Sequence, residues 1–161
     1  MKKYISILYN IHEKVIIVLY ILLVSIVFVE IIARYLLHLS LIWSTDFVTF
    51  IFIWLVFLSA SLAVKEHSHF VIELSADLLP ETVLKILDVI VSIVMYIVVF
   101  IFIFIGYKFM LLCGSGISPA LGIRLVWLYQ IVPLSSILML IYMIGDLLES
   151  LKLNIKRRVD I

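Results

Sequence analysis

Charge is scarce in this chain. Asp, Glu, Lys and Arg supply 14% of its 161 residues, where a soluble domain carries about 25%. Cysteine is nearly absent: the single Cys113 excludes any disulfide within the chain and reads as a small packing residue. With three prolines and five glycines there are few helix breakers, so long uninterrupted segments are expected. No polar stretch is long enough to form a separate soluble domain. The net charge is +1 and no basic cluster is extensive, so a nucleic-acid partner is not expected. What fills the space is apolar: 66% of the residues are hydrophobic and the mean hydropathy is +1.32. That balance belongs to a polytopic membrane protein whose solvent is the lipid bilayer.

One complete crossing organises the rest. Trp43, Ser44, Thr45 and Asp46 make a polar, amphipathic approach, and Phe47 to Val64 follow without a charge. These 18 residues rise about 27 Å as a helix, close to the ~30 Å of hydrocarbon. Lys65, Glu66, His67, Ser68 and His69 end the run. In lipid the backbone must satisfy its own hydrogen bonds, so the segment has to be helical. Its first half carries Phe47, Phe50, Phe52, Trp54 and Phe57. Its second half turns small at Ser59, Ala60, Ser61 and Ala63, which lets another helix approach closely.

Before it lies a short polar lead, Met1 to Lys14, and then an apolar run, Val15 to Leu37. The run is too long for a signal-peptide core and lacks a small-x-small cleavage site, so it reads as an uncleaved first helix. Glu30 and Arg34 stand four apart within it, on one face, where they can form a structural ion pair. If the first two helices are antiparallel neighbours, Glu30, Arg34, Trp43 and Asp46 meet near the same interface. Asp46 can then pair with Arg34 and leave Glu30 for a partner.

After the second helix, His69, Glu73 and Asp77 recur every four residues among Phe70, Ile72, Leu74 and Leu78, the pattern of a short amphipathic helix on the membrane surface. Pro80 and Glu81 suit the first turn of a third helix. Its apolar core runs from Val89 to Tyr107. Gly114, Gly116, Pro119 and Gly122 then mark a turn-rich loop. A fourth crossing begins at Leu125, with Trp127 and Tyr129 as interfacial aromatics. Pro133 inside it deprives the Tyr129 carbonyl of its usual donor, so a kink or a bound neighbour is expected there.

The expected fold is an all-α membrane protein. It has four transmembrane helices, at about 15–37, 47–64, 86–112 and 125–148, a short amphipathic surface helix between the second and third, and a single domain over residues 1–161. With four crossings both termini share a side. Nine of the twelve Lys and Arg residues fall on that side, and Arg34, Lys108 and Arg124 on the other. The positive-inside rule therefore puts both termini in the cytoplasm.

The chemistry of a catalyst is missing. His12, His67 and His69 lie on the cytoplasmic side and His38 on the other, none in mid-crossing where a haem between helices would need its ligands. No metal site, nucleophile elbow, phosphate loop or metalloprotease helix is recognisable, so neither an enzyme nor a bound cofactor is expected. The middle of the second and third helices is Phe, Ile, Val and Trp, which offers a polar solute little.

Ala33-Arg34-Tyr35, Trp43-Ser44-Thr45-Asp46, Trp54 to Ala63, His69, Ser118-Pro119-Ala120-Leu121-Gly122, Trp127, Tyr129 and Pro133 follow one another in an order and spacing that resembles a known family. It is the small membrane subunit, DctQ type, of tripartite ATP-independent periplasmic (TRAP) transporters. Departures from the family pattern fall at Phe47 and Ser68. The resemblance implies a multi-pass protein of the bacterial inner membrane. It implies a large membrane subunit holding the substrate and sodium sites, and a periplasmic binding protein that delivers an organic acid. On that view Glu30, Arg34, Trp43, Asp46, Trp54, Ser59 and Ala63 are candidates for subunit contacts or structural ion pairs. The alternative is a small proton-coupled multidrug exporter in which Glu30 takes up protons; Arg34 beside it argues against that role.

Overall fold

In the computed structural model the backbone is described for residues 2–75 and 81–159, and the side chains for most of them. The described residues form five helices: α1 (Lys2–Tyr35), α2 (Ile42–Ser75), α3 (Glu81–Cys113), α4 (Val126–Tyr129) and α5 (Ile131–Val159). Among the described residues there is no strand, only an isolated bridge between Ile117 and Arg124. Among the described residues four segments are long and apolar enough to cross a membrane: Ile5–Tyr35, Ile42–Glu66, Thr82–Cys113 and Val126–Leu148.

The helices outrun the apolar stretches that predict them. A 34-residue helix is about 51 Å long, some 20 Å more than the hydrocarbon is thick. It must tilt or project into water. The polar lead before Val15 is part of α1, because nothing in it breaks a helix once the apolar run has nucleated one. Residues 70–75 likewise continue α2 and open no surface helix of their own. The remainder of that expected helix, up to Leu79, falls largely outside the described residues.

Pro133 has its effect one turn earlier than itself. The fourth crossing is interrupted at Gln130: α4 ends at Tyr129 and α5 restarts at Ile131. Proline becomes the third residue of a new helix, where a missing N–H is harmless. The Gln130 carbonyl accepts from Leu134 N at 3.2 Å and carries the chain across the break.

The centre of the bundle is α2 against α5. In α2 the buried residues are Ser44, Ile51, Leu58 and Ser61, and in α5 they are Ile131, Ser135, Ser136, Met139 and Tyr142. Both sets keep to one face at spacings of three, four and seven, and both mix serine with bulk, so the helices approach closely. The serines satisfy themselves locally: Ser135 and Ser136 Oγ donate to the Val132 carbonyl at 3.0 and 2.7 Å. α1 lies on α2 and α3 lies on α5 and α4, and among the described residues α1 and α3 do not meet. Gly106 lets α3 close on α5: a Cβ there would stand 2.7 Å from Val132 Cγ1.

The flanking helices are mostly uncovered. Among the described residues only His12 and Ala33 of α1 are buried, and only Val99 and Gly106 of α3. Large apolar side chains, among them Val18, Phe28, Phe104 and Leu112, are more than 60% exposed. In water this would be an aggregation surface; here it is surface for lipid or for another membrane protein.

Candidate functional site

Polar side chains gather at two levels. The first is the end of the bundle that holds the α1–α2 connection and the loop before α4. The chain leaves α1 through His38, whose φ of 54° is unusual for a residue with a Cβ, and Leu39 N bonds back to the Ala33 carbonyl at 2.9 Å. Arg34 Nη2 donates to Glu30 Oε1 at 2.7 Å, one turn back on α1. The carboxylate is the more enclosed partner, 18% exposed against 55% for the guanidinium.

Asp46 does not join that pair. Its carboxylate accepts from Ser118 Oγ at 2.5 Å, and the same hydroxyl accepts from Leu121 N at 3.1 Å. Ser118 is buried because the loop folds over it: Ser118 N donates to Ile123 O, and Gly122 N to Ser118 O, both at 2.9 Å. Gly122 takes φ +67°, a conformation that glycine adopts without steric cost. The expected Asp46–Arg34 pair therefore gives way to Arg34–Glu30 and Asp46–Ser118. The reason is local: a helical i, i+4 partner is already in reach, whereas the loop presents a hydroxyl to Asp46 directly. Between α2 and this loop lies a cavity of about 220 Å³, lined by Asp46, Phe50, Ser118, Arg124 and Leu128 among others.

The aromatic candidates divide. Trp43 is exposed and stands edge-on to Phe47. Trp54 stacks on Phe50 and gives its indole N–H to the Trp127 carbonyl at 3.2 Å, so its polar end is engaged within the chain. Beside Trp43 it is Ser44 that turns inward, fully buried and bonded to the Leu41 carbonyl at 2.7 Å. Of the small residues in α2, Ser59 and Ala63 are half-buried, whereas Ser61 is fully enclosed.

The second level lies at the opposite end of the bundle, and the sequence reading missed it. His12 is 5% exposed and bridges three helices. Its Nδ1 lies 3.0 Å from the hydroxyl of Tyr142 on α5, and its Nε2 lies 3.3 Å from Ser61 Oγ on α2. The imidazole and the Tyr142 ring stack, 6.0 Å between centroids. Around them the Lys65 ammonium sits 4.3 Å from the centre of the Tyr9 ring and 5.7 Å from that of Tyr142. Tyr9 donates to Glu66 Oε1 at 2.8 Å. The sequence groups His12 with the polar lead on the cytoplasmic side. Because α1 extends through that lead, Tyr9 and His12, three apart, share the face that meets α2 and α5. The signal available in the sequence was that spacing, together with a tyrosine and an aspartate four apart near the end of the last crossing.

Among the described residues every buried side-chain nitrogen or oxygen has a partner, and no three His, Cys, Asp or Glu side chains gather where they could hold a metal ion. The polar groups bind one another across helices. Chemically the arrangement joins helices.

Comparison with known proteins gives the chain's kinship. The family model of the DctQ component of tripartite ATP-independent periplasmic transporters matches residues 23–153. The chain is also similar to the sialic acid TRAP transporter permease protein SiaT of Haemophilus influenzae (strain 86-028NP), 28% identical over 122 residues. That alignment takes in 76% of this chain and 20% of SiaT, so the chain spans about a fifth of the length of that relative. A match over most of the chain, in a bundle with four membrane-crossing segments, settles its kinship: the chain belongs to the DctQ component family of the tripartite ATP-independent periplasmic transporters.

Proposed function

We propose that this chain is the small scaffold subunit of a TRAP-type secondary transporter in a bacterial inner membrane, with both termini in the cytoplasm. It supports a large membrane subunit that carries the substrate and sodium sites. A periplasmic binding protein delivers an organic acid, the class to which the sialic acid of the SiaT name belongs. The observation that carries the reading is the contrast, among the described residues, between an interior whose buried polar side chains are paired and flanking helices left uncovered along their apolar length. A carrier needs interrupted helices and polar groups near the midplane. Here the polar clusters sit toward the two ends, and the helix break at Gln130 is followed by serines that bond their own helix. Glu30, the residue a proton-coupled exporter would use, is held by Arg34.

The test is reconstitution. The chain alone in liposomes should take up no solute, and from native membranes it should co-purify with a larger membrane protein. Uptake by the chain alone would replace the scaffold with a carrier.

A further inference from the structure

We propose that His12 is a proton-operated clasp: neutral, it fastens α1 to α2 and α5, and on taking up a proton it lets that end of α1 separate from α5. The hydrogen-bond pattern defines the closed state. Ser61 Oγ already donates its proton to the Leu58 carbonyl at 2.8 Å, so toward His12 it can only accept. His12 Nε2 therefore carries the hydrogen. Nδ1 is bare and accepts from the Tyr142 hydroxyl at 3.0 Å. One neutral tautomer satisfies all three groups in a buried site.

A proton on Nδ1 breaks that pattern. Nδ1 becomes a donor facing a donor, and Tyr142, 1% exposed, must turn its O–H away from the ring. The new charge also meets a poor set of neighbours. From α2 comes the Lys65 ammonium, lying over the Tyr9 and Tyr142 rings. Glu66, also on α2, is engaged by Tyr9. On α1 itself Glu13 is exposed, and on α5 Asp146 stands one turn beyond Tyr142. A buried cation whose ring nitrogens face two hydroxyls favours a state that rehydrates it.

The lever is α1. It rests mainly on α2, and its reach to α5 is at this end, where Ile5 seats against Gly145 and His12 meets Tyr142. A Cβ on Gly145 would stand 2.7 Å from Ile5 Cδ1, so the two helices are in close contact at this end. The closed state is the one with a neutral imidazole, and it is lost as falling pH charges the ring.

The experiment uses the full chain in nanodiscs with Cys113→Ala and spin labels on Asn10→Cys and Leu148→Cys, both exposed positions of α1 and α5. The inter-label distance distribution is compared at pH 8 and pH 5. A single short population at pH 8 and at least a threefold gain of longer distances at pH 5 are expected. In the His12→Phe/Tyr142→Phe variant, which keeps the stacked rings without the polar pair, pH should have no effect. An unchanged wild-type distribution overturns the clasp, and so does an undiminished response in the double variant. Should that variant not fold, nitrogen-15 spectra of labelled histidine in the wild-type chain decide instead. His12 should be the Nε2–H tautomer at pH 8 and charge in step with the opening. Opening while His12 stays neutral, or charging without opening, overturns it equally.

Discussion

Ser118 gives its hydroxyl proton to Asp46 at 2.5 Å and so ties the loop before α4 to the first turns of α2, 72 residues earlier in the chain. This single bond fixes the height of the loop against α2, because the same hydroxyl also receives Leu121 N. Ser118→Ala removes a bond to a charged acceptor, and the expected loss is about 1.5 kcal/mol, at the low end because Asp46 is half-buried. Thermal or detergent unfolding of the purified chain reads this. Ser118→Thr, which keeps the hydroxyl, should restore most of it.

Arg34 and Glu30 act as a unit. Arg34→Ala leaves a carboxylate in α1 without its counter-ion, at a cost bounded by the roughly 2.5–3.5 kcal/mol that insertion scales assign to a charge in mid-membrane. Assembly of the transporter complex should weaken, and uptake should fall in proportion to the complex lost. Substrate affinity of the surviving complex should stay near that of the wild type. Exchanging the two residues, Glu30→Arg with Arg34→Glu, keeps the pair and should recover assembly. Altered ion or substrate dependence with assembly intact would instead move the pair into a transport site.

Gly106 sets the distance between α3 and α5. Val132 is β-branched and has little rotamer freedom in a helix, so the 2.7 Å approach of an added Cβ has to be relieved by moving the helices. Overpacking of this kind costs about 1–3 kcal/mol, against roughly 1 kcal/mol gained in helix propensity by Gly→Ala. Gly106→Ala should therefore be neutral to mildly destabilising, and Gly106→Leu clearly destabilising, in an unfolding titration.

Topology has a direct check. Cysteines placed at Ser115, an exposed position of the loop before α4, and at Asn154, in a Cys113→Ala background, should react with an impermeant reagent from opposite sides of the membrane. Ser115 is expected on the periplasmic side and Asn154 on the cytoplasmic side. Labelling of both from one side would remove the four-crossing arrangement.

The sequence alone determined the solvent, the number of crossings and the kinship. Eighteen uncharged residues between Asp46 and Lys65 admit only a helix in lipid, since no other structure satisfies the backbone there. The spacing of Trp43-Ser44-Thr45-Asp46, the second-helix run and the Ser118–Gly122 loop carried the family. Pro133 announced a disturbance, because a proline's missing N–H is a local fact.

Tertiary structure alone decided which partner each polar group takes. A sequence shows that Glu30 and Arg34 can pair, but it does not show that Asp46 meets a serine far along the chain. His12 looked like a solvated residue of a polar lead. Its burial depends on α1 extending nearly to the N-terminus and on Ser61 and Tyr142 arriving from two other helices at one depth. Periodicity fixes which face of a helix a residue occupies. What that face meets is set by how the helices stack, and in a chain this apolar nearly every face is hydrophobic enough to be either inside or outside.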